Sequence, residues 1–125
     1  MKHCLVVDDS RAIRKVVCRI LQALHFETDE ADSSDTALSV CRNQMPELIL
    51  LGLNMVNMNS IEFLKTLRRE QGGERPFVVF CTTENDVGSI SEALNAGANE
   101  YIMKPFDRSV IEAKLAEVGL AQVPQ

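Results

Sequence analysis

Short apolar runs alternate with amphipathic stretches five times along the chain. Leu5-Val6-Val7 predicts a strand buried on both faces that ends at Asp8-Asp9. After Ser10, apolar residues recur at Ile13, Val16, Val17, Ile20, Leu21 and Leu24, the stripe of a helix whose apolar side faces a core. Residues 27–31 read as a more polar strand, expected near a sheet edge. Ser33-Ser34-Asp35 supplies capping oxygens for a helix carrying Ala37, Leu38, Cys41 and Met45, and Pro46 marks its end. Leu48-Ile49-Leu50-Leu51 forms a third strand closing at Gly52. Asn59, with Glu62 three residues on, caps a helix marked by Ile61, Leu64 and Leu67. Residues 77–81 give a fourth strand, and Ile90, Ala93 and Leu94 a helix stopped at Gly97. Tyr101-Ile102-Met103 gives the last strand, and a helix spans residues 107–118.

Repeated strand–helix units imply a doubly wound, five-stranded parallel sheet with helices on both faces, the α/β architecture of flavodoxin-like folds. The domain is expected to cover residues 1–120, with 121–125 a loose tail. In such a sheet, ligands gather at the carboxyl ends of the strands. The residues there are Asp8-Asp9, then 52–54, then Thr82-Thr83, then Lys104. Two carboxylates suit a hard divalent cation such as Mg²⁺; a lysine and a hydroxyl suit the oxygens of a phosphoryl group. Asp8 and Asp9 also have a plainer reading as acids before a helix start, and Thr82 as an ordinary strand-end hydroxyl.

Charge and cysteine usage narrow the function. The net charge of −5 argues against nucleic acid as a partner. No apolar run approaches the ~20 residues that span a bilayer, and the start of the chain turns acidic too early for a signal peptide, so the expected location is the cytosol. Cys4, Cys18, Cys41 and Cys81 all sit in apolar stretches without CxxC or Cys/His pairing, which predicts reduced core thiols.

Taken together, these motifs resemble the CheY-like receiver domain of two-component response regulators. Val6-Val7-Asp8-Asp9-Ser10 resembles that family's acidic metal motif, and Asn54-Met55 the start of its phosphorylation loop. Thr82 resembles the switch hydroxyl and Tyr101 the aromatic switch. Ala96-Gly97-Ala98 and Lys104-Pro105-Phe106 resemble the closing motif. The resemblance implies a phosphorelay or chemotaxis-type signalling protein that acts by binding a histidine kinase or a flagellar motor component. It implies Mg²⁺ held directly by Asp9 and by the backbone carbonyl of Asn54, with Asp8 behind them or reaching the ion through water. It implies a cis bond before Pro105 and a partner face over residues 87–118. The chain is expected to be a monomer.

One loop departs from the pattern. The family's phospho-accepting aspartate belongs at the end of the third strand, where this chain has Gly52. Val56 replaces a usual proline, Asn59 an aspartate and Ser60 a glycine. Glycine can neither accept a phosphoryl group nor ligate a cation, so Mg²⁺ is expected to bind weakly or not at all, and Lys104 to pair with Asp8 or Asp9. Three functions follow. The first is a pseudo-receiver acting by phosphorylation-independent binding or as a decoy. The second is a laboratory-altered loop in an ordinary phosphorylated regulator. The third is an enzyme on the same fold, disfavoured because Asp8-Asp9 would repel a flavin phosphate and because the chain lacks an Asp-x-Asp nucleophile motif there.

Overall fold

A computed structural model of the protein describes residues 2–52, 58–82, 87–103, 107–117 and 119. Among these, strands and helices alternate as β1 (Lys2–Val7), α1 (Arg11–Ala23), β2 (Phe26–Ala31), α2 (Ser34–Asn43) and β3 (Leu48–Gly52). They continue as α3 (Ser60–Arg69), β4 (Phe77–Thr82), α4 (Val87–Ala96), β5 (Glu100–Met103) and α5 (Arg108–Glu117). All strand pairs are parallel and the spatial order is β2-β1-β3-β4-β5. The doubly wound sheet expected from the sequence is what forms; the expected tail, residues 121–125, lies outside the described residues.

Side-chain alternation along each strand divides the core into two layers. Leu48 and Leu50 of β3 join Cys4, Val6, Val79 and Cys81 under α1 and α5. Ile49 and Leu51 join Leu5, Val7, Val78 and Phe80 under α2, α3 and α4. A central strand must feed both layers, which is why β3 reads as a continuous apolar run. Each fully buried Leu or Ile contributes about 1.5–3 kcal/mol relative to exposure.

Helix starts follow the capping chemistry of the sequence. Ser10, Ser33 and Asn59 accept hydrogen bonds from the backbone N–H groups of Ile13, Thr36 and Glu62 respectively. Asp107 does the same for Val110 at the start of α5. The helical stripe of α1 is narrower than its apolar residues suggest. Val17, Cys18 and Leu21 are buried, whereas Ile13 and Val16 are 38% and 57% exposed. Val16 precedes Val17 by one residue, about 100° around the helix, and that rotation carries it off the sheet.

Among the described residues, one heavily hydrogen-bonded side chain was not marked by any motif. Arg68, near the end of α3, donates to the carbonyls of Gly73 and Pro76 at 2.8 and 2.9 Å. Its other nitrogens donate to the Gly97 carbonyl at 3.0 and 2.7 Å and to Asn99 Oδ1 at 3.0 Å. Asn99 Oδ1 also accepts from the Val78 N–H. Partial burial pushes the guanidinium pKa down. Gly97 has φ +122° and a Cβ there would meet the Arg68 stem at 2.9 Å, so only glycine suits this turn.

All four cysteines are free and buried, as the sequence predicts. Burial pushes the thiol of Cys4 well up and that of Cys41 up to about 11. The native protein should therefore resist iodoacetamide at pH 8, while the urea-unfolded chain takes four alkyl groups. Intact mass checks this, and rapid native labelling would show an open core.

Candidate functional site

Strand order places the topological switch between β1 and β3, since the chain leaves β1 toward β2 on one side and returns to β3 on the other. Open α/β sheets bind ligands at that crevice. The crevice is bounded by the ends of β1 and β3, and the register Val7↔Leu51 brings Asp8 beside Gly52. Gly52 in turn pairs with Cys81 of β4. Asp8, Gly52, Cys81, Ile13 and Val17 line a mostly apolar slot with about 10 Å³ for the centre of a water molecule, room for one.

Asp8 is 5% exposed. Its backbone is fixed on both sides: the N–H donates to Ala31 at 3.1 Å, and the carbonyl accepts from Arg14 Nη1 at 2.7 Å. Arg14 also pairs with Glu30 at 3.0 Å, tying α1 to β2 beneath the site. One carboxylate oxygen of Asp8 accepts from the Ser10 N–H at 2.9 Å. Ser10 is the N-cap, so Asp8 shapes the turn into α1 and does not cap the helix itself. Asp9 is exposed beside it. Arg14 is a supporting residue that sequence reading missed. Its only signal was a cation one helical turn after the acid pair.

Thr82 closes β4 and is 1% exposed. By alternation it falls on the Phe80 side of the sheet, whereas Asp8 and Gly52 fall on the Val6 and Leu50 side. Asp8 and the Thr82 hydroxyl therefore share one sheet edge but not one face. Tyr101, whose direction the sequence leaves open, lies on the edge strand β5 opposite Phe80 and is 36% exposed. Asn54, Thr83 and Lys104, with the bond before Pro105, lie outside the described residues. Among the described residues no three His, Cys, Asp or Glu side chains cluster as a metal site. Asp8 and Asp9 remain a pair of hard oxygen donors that suits a divalent cation, without a carboxylate from Gly52 to complete a triad.

Ser60 is a further residue at the site. It is 4% exposed, and its hydroxyl donates to the Gly52 carbonyl at 2.5 Å. Position 60 was noticed in the sequence only as a departure from a pattern, with no role attached.

Comparison with known proteins agrees with this fold. Residues 4–116 match the response regulator receiver domain family. The chemotaxis protein CheY homolog of Campylobacter jejuni is 34% identical over 116 residues, covering 91% of this chain and 89% of that protein. The phosphate regulon transcriptional regulatory protein PhoB of Escherichia coli is 32% identical, covering 94% of this chain but 51% of PhoB. The structure of the chemotaxis response regulator CheY4 of Vibrio cholerae superposes with a TM-score of 0.87 at 29% identity, covering 94% of this chain and 98% of CheY4.

Proposed function

Because the chain belongs to the response regulator receiver family of two-component signalling, we propose that it is a receiver that signals by binding other proteins without being phosphorylated itself. The observation that carries this reading is Gly52. It ends β3 next to Asp8, at the position where the family's pattern puts the accepting aspartate. Its neighbour Leu51 offers no nucleophile, and neither does Leu53 in the sequence.

Asp8 and Asp9, with the backbone carbonyl of Asn54, would hold Mg²⁺ weakly, because ligand number and charge set the affinity of a hard-cation site. Thr82, Tyr101 and Lys104 keep the residue types of the switch. The partner is a signalling protein such as a histidine kinase or a flagellar motor component, in keeping with the chemotaxis and regulatory names of the relatives. Among the described residues the exposed large apolar side chains are Ile13 and Val16 on α1 and Val87, Leu94, Tyr101 and Val110 on α4, β5 and α5, and the larger group favours the α4–β5–α5 side for docking. Four reduced cysteines suit the cytosol. The protein works there as a monomer and not as an enzyme.

Incubation with acetyl phosphate and Mg²⁺ tests the central point. The intact mass of the native chain should stay unchanged, while Gly52→Asp should gain one phosphoryl group. A stoichiometric gain on the native chain, at whatever residue, would overturn the reading.

A further inference from the structure

We infer that Ser60 is a brace that fixes the end of β3 to the start of α3, doing by a neutral hydrogen bond what no side chain at position 52 can do. The inference rests on the reading that Gly52 carries no phosphoryl group, and it concerns how the site is wired to the rest of the domain.

The Ser60 hydroxyl is buried and donates to the buried carbonyl of Gly52, eight residues earlier. Capping does not occupy it, because Asn59 already accepts from the Glu62 N–H as the N-cap. Gly52 is the last residue of β3, paired with Cys81, and its carbonyl accepts the Ser60 hydroxyl at the point where the strand ends. Glycine also brings more backbone freedom than any other residue to that strand end. The hydroxyl removes some of that freedom by fixing the carbonyl's direction. It also seats the first turn of α3, whose Phe63, Leu64 and Leu67 fill the core beneath. A hydroxyl–carbonyl bond carries no net charge. The brace itself therefore involves no titrating group and no cation ligand.

Urea unfolding and carbonyl ¹³C resonances of Ser60→Ala and Ser60→Thr test the brace. Ser60→Ala leaves a buried acceptor bare and should raise the unfolding constant about tenfold, equally in chelator and in millimolar Mg²⁺. The Gly52 carbonyl resonance should shift in Ser60→Ala and keep its native position in Ser60→Thr. A change under twofold with an unmoved resonance would overturn the brace while leaving the unlabelled mass, and so the functional reading, intact. Conversely, phosphorylation of the native chain with the tenfold effect preserved would sink that reading and keep the brace. If Ser60→Ala does not fold, Ser60→Thr decides: a native resonance supports the brace and a displaced one overturns it.

Discussion

Arg68→Ala should unfold about 3 kcal/mol more easily than the native chain, a drop of roughly 10 °C in Tm for a domain of this size. The side chain joins the end of α3, the turn before β4 and the turn before β5 through the carbonyls of Gly73, Pro76 and Gly97 and the Asn99 amide. Hydrogen bonds from a charged donor contribute about 1.5–3 kcal/mol each when well shielded. Arg68 is half-buried, so the full sum is not reached, but three carbonyls would lose a partner at once. Arg68→Lys should recover only part of the loss, because an ammonium cannot span the fork of a guanidinium. Urea midpoints of the three proteins measure this. An Arg68→Ala midpoint equal to the native one would mean that water replaces the network freely.

Gly52→Asp should have the second largest effect, and its sign should depend on the cation. The register puts the new carboxylate beside Asp8, with Asp9 next in the chain. Two like charges ~4 Å apart repel by about 4 kcal/mol at an effective dielectric of 20; the open mouth of the site reduces this, leaving a net loss of about 2 kcal/mol in chelator. Two effects oppose the loss. Replacing glycine in a strand gains about 0.5–1 kcal/mol, and Gly52 is not among the positive-φ glycines, which are Gly72, Gly97 and Gly119. Millimolar Mg²⁺ should then restore much of the stability by binding only the folded state. Urea unfolding of both proteins with chelator and with Mg²⁺ supplies the comparison. If Gly52→Asp is as stable as the native chain in chelator, Asp8 and Asp9 do not form an acidic pocket with position 52.

The fold was readable because its elements are strongly patterned. Leu48-Ile49-Leu50-Leu51 could only be a strand covered on both sides, and Ser10, Ser33 and Asn59 announced their helices through their own oxygens. Asp8 and Gly52 were found by the rule that ligands gather at strand ends, and the register brings them together. Three features were not readable. The exposure of Val16 depends on how α1 rolls against the sheet, a choice its periodicity leaves open. Arg68 makes its bonds to backbone carbonyls, which every residue carries, so no partner residue type could reveal them. Ser60 likewise addresses a carbonyl eight positions away, a contact set by the path of the chain between β3 and α3.

The margins of the sheet bear on what kind of association the molecule permits. On one margin β2 alternates a buried Phe26 and Ala31 with exposed Glu27 and Asp29. On the other, β5 is four residues long and begins with Glu100, which Lys114 pairs at 3.5 Å. A long, flat, uncharged border would invite another chain to add a strand; an acidic border and a very short one repel or starve such an addition. Recognition is thereby steered away from backbone templating and onto helix surfaces, where it depends on particular side chains. A domain built this way can be crowded among many copies of itself and close relatives without stacking into fibrils, and its choice of partner can change by substitutions on a helix without disturbing the sheet.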